Sequence, residues 1–198
     1  MEKYSQNDEQ AFIIDYFEGK PVGKYIDIGA YDVFRFSNTR CLYDLGFSGV
    51  LVEPSPNLYK AIADHYKGDW RVEVVNVAIG AEAGEIDFYA SEDAVSTTDE
   101  THMKKWADAG VKFEKIKVKQ VGIFEFMHEH CDYVDFLNID TEATNMVIFR
   151  NMPEFVWKQI KMLCIEHDQC QQEIEDKLKQ YGFQTLYMNA ENILLAKP

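Results

Sequence analysis

"KYIDIGAYDVFRFSNTR" (residues 24–40) is the stretch on which the fold turns. Tyr25, Ile26 and Ile28 give it the apolar content of a short buried strand, and "YIDIGA" reaches Gly29 where the backbone must turn sharply. The chain then crosses polar residues to Ser37, a favoured helix cap, and enters a helix that runs through Leu45 and stops at Gly46. A strand that carries an acid, turns at a glycine and feeds a helix leaves bare peptide groups for a ligand to approach.

The same alternation extends in both directions. Upstream, Ser5 is placed to cap a helix with Asp8 three residues on, and Phe12, Ile13, Tyr16 and Phe17 follow at helical spacing. Downstream, "SGVLVEPSP" is a second strand ending at Glu53, and "NLYKAIADHYK" is a helix whose Leu58, Ala61, Ile62 and Tyr66 share a face. "VEVVNVAIG" predicts a third strand, buried on both sides. After residues 85–119, an insert of two strands ("EIDFYA", "FEKIKVKQV") around a polar segment with a helix ending near Gly110, the alternation resumes. It gives the helical "FEFMHEHC", the strand "YVDFLNID", a helix from about Thr144 and the strand "IKMLCIEHD". A last helix precedes a strand from Phe183, a turn near 189–192 and a closing strand.

So short a final turn forces antiparallel pairing, because a parallel crossover needs about a dozen residues. The prediction is an α/β, Rossmann-like, doubly wound and mostly parallel seven-stranded sheet with a C-terminal antiparallel hairpin. The chain reads as a single domain over 1–198, with a cap helix in 1–22 and the 85–119 insert near the active site.

Twenty Lys and Arg against 34 Asp and Glu leave a formal charge of −14, which opposes nucleic acid and anionic membranes as partners. The densest basic stretch, "KFEKIKVK" (112–119), alternates as an exposed strand does. The N-terminal "MEKYSQNDEQ" has no signal-peptide pattern and no run reaches membrane-spanning length, so a cytoplasmic location is expected. Cys41, Cys131, Cys164 and Cys170 are expected to be reduced structural thiols. "CIEHDQC" (164–170) and "HEHC" (128–131) lack the ligand complement of a metal site, and no metal is expected.

In an open parallel sheet, ligands bind beyond the carboxyl ends of the strands. The candidate site is then Asp27 and Gly29, Glu53, Asn76 to Ala78, Asp140 to Glu142, and Glu166 to His167. Asp27 can accept from an ammonium group, while the helix start after Ser37 offers unpaired N–H groups to a carboxylate. Glu53 follows 26 residues after Asp27, close to the interval of about 20 for an acid that binds ribose hydroxyls. The G-x-G-x-x-G pattern of pyrophosphate binding is absent, which disfavours NAD. An amino acid plus a ribose without a pyrophosphate points to S-adenosylmethionine.

"DIGAYD" (27–32), "SNTRCLYDLGFSGVLVEPSPNLY" (37–59), "NVAIG" (76–80), "DFLNIDTEA" (135–143) and "CIEHD" (164–168) together resemble the FkbM-type S-adenosylmethionine-dependent methyltransferases. The resemblance implies a class I methyltransferase fold and O-methyl transfer to a hydroxyl of a small molecule, sugar or glycan. It implies that S-adenosyl-L-methionine lies along Asp27, Gly29, Ala30 and Tyr31, then Ser37, Asn38 and Thr39, then Glu53, Pro54 and Ser55, with Asn76, Ala78 and Asp140. Gln6, in "SQNDEQ", would reach its amino-acid end. Val33 and Ala143 stand where the family usually has glycine, and Asn145 where it has an acid.

Methyl transfer from a sulfonium demands alignment more than catalytic groups, but a hydroxyl acceptor must lose its proton. Asp140 is the first candidate base, with His167 and Glu142 as alternatives. Asp140 could instead cap a helix and His167 could be a buried, hydrogen-bonded histidine. Ser96 and Thr97 of the insert are candidate substrate contacts, and Tyr31, Phe34 and Phe36 candidate pocket walls. The N-P-P-Y type motif that holds amino acceptors is absent after the fourth strand. A non-catalytic cofactor-binding protein and a nucleotide-dependent oxidoreductase are the alternatives.

Overall fold

The structure, a computed structural model, describes residues 2–91 and 93–198; Met1 of the N-terminal segment and Glu92 of the insert lie outside it. Helix α1 (Glu9–Phe17) is followed by β1 (Lys24–Ile28), α2 (Arg40–Asp44), β2 (Ser48–Val52), α3 (Pro56–His65) and β3 (Val72–Val75). Strands β4 (Ala78–Gly80) and β5 (Gly84–Ala90), helix α4 (Glu100–Asp108) and strand β6 (Glu114–Gly122) come next. The remainder is α5 (Ile123–His130), β7 (Val134–Ile139), α6 (Asn145–Asn151), α7 (Glu154–Gln159), β8 (Met162–Glu166), α8 (Gln171–Lys179), β9 (Gln184–Met188) and β10 (Asn192–Ala196).

Seven strands form one sheet in the order β3-β2-β1-β7-β8-β10-β9. The first five run parallel, and β10 pairs antiparallel with both β8 and β9, which is the predicted hairpin. Side chains alternate between two cores, as the two-residue period of a strand requires. Ile26, Ile28, Leu137, Ile139, Leu163 and Ile165 pack with α5 to α8 on one face. Tyr25, Leu51, Phe136, Met162 and Leu194 pack with α1 to α3 on the other. Each fully buried aliphatic side chain contributes about 1.5–3 kcal/mol, so both helical layers are held by burial rather than by helix propensity.

Strand order reverses where β1, whose partners are β2 and β7, begins a new direction of progression. The crevice beyond the carboxyl ends of these three strands is where an open α/β sheet binds ligands. Gly29 makes the approach of β1 and β7 possible. At φ +92, a Cβ there would stand 1.7 Å from the Asp140 carbonyl oxygen.

Two local expectations are corrected. "VEVVNVAIG" is not one strand buried on both sides: β3 is the sheet edge, paired only with β2 and partly exposed. The chain breaks at Asn76, whose amide donates to the carbonyls of Glu53 and Pro54 at 2.8 and 3.1 Å. Ala78–Gly80 then joins a second, three-stranded sheet with β6 and β5. Ser5 does not cap α1 directly; the helix starts at Glu9, and the Ser5 hydroxyl accepts from the Gln10 N–H while donating to the Asn7 carbonyl.

All four cysteines are unpaired. No helix among the described residues is long and apolar enough to cross a membrane.

Candidate active site

The β1 end carries a closed polar network. Asp27, only 2% exposed, accepts from the Thr39 hydroxyl at 2.6 Å and the Asn138 amide at 2.8 Å. Asn38 in turn donates to Asn138 at 3.2 Å. Burial raises the Asp27 pKa, and the bonds from Thr39 and Asn138 oppose that rise. Ser37 accepts from the Arg40 N–H at 3.1 Å, but α2 begins only at Arg40 with Thr39 at its N-cap, so Ser37 steadies the turn before the helix and is not its cap as expected.

Glu53 leaves β2 directly beside the Gly29 turn. One carboxylate oxygen accepts from the Tyr31 N–H at 3.0 Å and the other from the Ser55 N–H at 2.8 Å. A carboxylate has about four lone-pair positions, so two remain for a ligand. Burial pushes its pKa up to about 7 against those two bonds.

At the β7 end, Asp140 makes no side-chain hydrogen bond to the described residues. Its pKa is pushed well up, first by burial and then by Glu166 and Glu142. The loop beyond it runs through two consecutive left-handed residues, Glu142 (φ 52) and Ala143 (φ 77). Asn145, fully buried, holds this loop against β8. Its oxygen accepts from the Thr141 N–H at 2.7 Å and the Thr141 hydroxyl at 2.9 Å, while its amide donates to Glu166 at 2.6 Å and Asp168 at 3.2 Å. Burial and neighbouring acids lift Glu142 to about 8 and Glu166 to about 7.

Three connected hollows meet here. One, a cleft with about 530 Å³ of space partly open to solvent, has apolar walls from Ile28, Val52, Leu58, Val77, Ile79 and Phe88 around Glu53 and Asp140, and also touches Tyr31, Pro54 and Ala78. The second is polar and is lined by Gln6, Asp27, Ala30, Ser37, Asn38 and Asn138. Gly29, Tyr31, Asp140 and Glu142 line both. The third is a wide acidic bowl over Asp140, Glu142, Glu166, Asp168 and Glu191, rimmed by the insert and the N-terminal segment. A polar end, a central acid with free acceptor positions and an apolar end match the amino-acid, ribose and adenine parts of S-adenosylmethionine.

Of the remaining expected residues, Thr39, Ser55 and Asn76 stand behind the hollows, holding Asp27, Glu53 and the Glu53–Pro54 backbone. His167 lines the bowl but is 5% exposed, with Nδ1 accepting from the Gln169 N–H and Nε2 against the Asn189 carbonyl. Both ring nitrogens are thereby committed. Ser96 lines the apolar cleft; Thr97 is buried and donates to the Glu142 carbonyl at 2.6 Å. Phe36 lines the polar hollow and bowl, whereas Phe34 packs edge-on against His65. Among the described residues no group of three or more His, Cys, Asp or Glu side chains is arranged to hold a metal ion.

Residues 27–185 match the methyltransferase FkbM domain. The chain belongs to the FkbM methyltransferase family. Its fold and family make it an S-adenosylmethionine-dependent methyltransferase. Solved structures agree on the fold. The precorrin-6y C5,15-methyltransferase of Geobacter metallireducens GS-15 aligns at TM-score 0.50 and 13% identity, covering 100% of this chain and 93% of that one. A Staphylococcus aureus protein assigned as a caffeoyl-CoA O-methyltransferase aligns at 0.51 and 9%, covering 99% and 86%. The METTL16 methyltransferase domain aligns at 0.52 and 10%, covering 95% and 65%. No curated protein sequence matches the chain.

Sequence reasoning did not single out His102, Trp106 or Asn145 as parts of the site. The insert histidine carries no local motif, and Asn145 was noted only as a departure from the family pattern.

Proposed function

We propose that this methyltransferase transfers the methyl group to a hydroxyl oxygen of a small molecule, sugar or glycan. The observation that carries this is Asp140. Its carboxylate has no protein partner among the described residues and stands where the cofactor hollows open into the bowl. Burial, and after it the surrounding acids, holds its affinity for a proton high, as a group that must deprotonate a hydroxyl requires.

The cofactor supplies an electrophilic methyl group on a sulfonium. Asp27 and the Ser37–Asn38 turn hold its amino-acid end, Glu53 its ribose, and the cleft around Val77, Ala78 and Phe88 its adenine. Ala30 and Pro54 line the path between them, and Gln6 closes the amino-acid end. Asp140 orients the acceptor hydroxyl and takes its proton, with Glu142 beside it. The chain's formal net charge of −14 opposes polyanionic acceptors, which favours a neutral or cationic acceptor over nucleic acid. The sequence "NIDTEA" after β7 lacks the prolines and aromatic residue that hold a planar amino acceptor.

The test is transfer of a labelled methyl group from S-adenosylmethionine to a panel of polyols, sugars, phenols and amines, with Asp140→Asn as control. Label on oxygen in the wild type, lost in the variant, supports the proposal. Label on nitrogen alone, or on no acceptor, refutes it.

A further inference from the structure

The insert delivers a histidine to the bowl that the transfer chemistry above does not use. Asp99 caps α4 by accepting the His102 N–H at 2.6 Å, which fixes the first turn of the helix. From that turn His102 reaches the loop after β7, with Nε2 3.0 Å from a carboxylate oxygen of Glu142. The same Nε2 is 2.8 Å from the indole nitrogen of Trp106. An indole N–H only donates, so Nε2 must present its lone pair and carry no proton of its own. That single lone pair is then shared between the indole and Glu142 in a three-centre contact, which is favourable only when Glu142 brings the proton.

The charges around the two groups agree. Glu142 faces Asp140, Glu166, Asp168, Glu191 and Lys105, and burial together with the neighbouring acids favours its neutral carboxyl form. His102 faces Lys105, Asp99 and Asp168, and burial, then Lys105, favours its neutral ring. Thr97 adds a second tie between insert and loop through the Glu142 carbonyl. Both His102 and Glu142 line the bowl beside Asp140.

We propose that His102 and Glu142 form a proton-sharing pair that relieves Asp140 of the proton it takes from the acceptor hydroxyl, with His102 the positioning residue and Glu142 the group that bonds the proton. The catalytic half of this rests on the O-methyl-transfer proposal. The pair accepts a proton only in its ionised form, with the Glu142 carboxylate opposite the Nε2 lone pair, a contact that a proton turns from repulsive to favourable. The acceptor O–H breaks and its O–CH₃ bond forms, while the S–CH₃ bond breaks with its electron pair passing to sulfur. Asp140 takes the proton and hands it to Glu142, which donates it toward His102 Nε2; it then leaves through the open bowl, returning Asp140 to its carboxylate form. The insert is thereby part of the chemistry as well as a wall.

An NMR titration of protein labelled at histidine and tryptophan tests the pair without any acceptor. The His102 ring and the Trp106 indole are expected to report one common transition above pH 7, absent in Glu142→Gln, with no His102 protonation near its ordinary value of about 6.5. Titration of His102 near 6.5 in both proteins, or no common transition in the wild type, overturns the pair; the wild-type experiment decides alone if the variant does not fold. With a hydroxyl acceptor from the labelled-methyl panel, His102→Gln should lower kcat at least tenfold, leave KM within about twofold and displace the acid limb of the pH profile. An unchanged kcat and profile overturns the catalytic role. A panel that yields no acceptor refutes methyl transfer to oxygen and this use of the pair, while the titration still decides whether the proton is shared.

Discussion

Glu53→Gln is the most informative single substitution. The wild-type carboxylate spends one lone pair on the Tyr31 N–H and one on the Ser55 N–H, leaving two positions for ribose hydroxyls. Each hydrogen bond to a charged acceptor contributes about 1.5–3 kcal/mol. The glutamine amide must turn its NH₂ toward one of those backbone donors, so the variant loses a backbone bond and an acceptor position together. Cofactor affinity should fall about 10- to 100-fold for one such bond lost.

The pH dependence gives a second, independent signature. Burial holds Glu53 up at about 7, and ribose donors favour its ionised form. Affinity should therefore rise as pH passes from 6 to 8, by about tenfold for a single group titrating at the midpoint, and then level off. The sign for folding is opposite: an acid raised above its unfolded value stabilises the fold below the unfolded pKa, and that contribution is lost as pH climbs through the folded value. Isothermal titration calorimetry with S-adenosylhomocysteine at several pH values, on wild type and variant, measures both effects. An unchanged dissociation constant with an unchanged pH slope in Glu53→Gln would refute the ribose assignment.

Three further substitutions test the scaffold. Gly29→Ala places a methyl group 1.7 Å from the Asp140 carbonyl oxygen at φ +92; the protein should fail to fold or melt far below wild type, and a normal thermal melt would contradict the close approach of β1 and β7. Ala143→Gly removes the penalty of a left-handed alanine at φ 77, so urea unfolding should show a gain of about 1 kcal/mol; a loss would contradict the loop conformation. Thr39→Val withdraws the 2.6 Å donor from buried Asp27; a loss of about 1.5–3 kcal/mol in the same assay is expected, and no loss would show that Asp27 does not need that partner.

The sheet was legible because its signals are local and periodic. Apolar runs ending at Gly29, Glu53 and Asp140 mark strands whose ends must converge, and the short turn before Asn192 dictates the hairpin. The edge position of β3 was not legible, since Val72, Val74 and Val75 look the same whether one neighbour strand is present or two. Asp27 and Glu53 were found by spacing, but their division of labour with Thr39, Asn138 and the Tyr31 and Ser55 amides depends on contacts between distant segments. His167 sits in a persuasive sequence context, yet the hairpin turn at Asn189 and the Gln169 amide occupy its ring. His102 was invisible because its meaning comes from α4 lying over the β7 loop, a long-range placement with no pattern of its own.

The most direct test is a crystal structure with S-adenosylhomocysteine bound. The ribose hydroxyls should lie on Glu53, the amino-acid end between Asp27 and Ser37, and the sulfur should face Asp140 at the mouth of the acidic bowl. A ligand seated elsewhere, or with its ribose away from Glu53, would contradict the site.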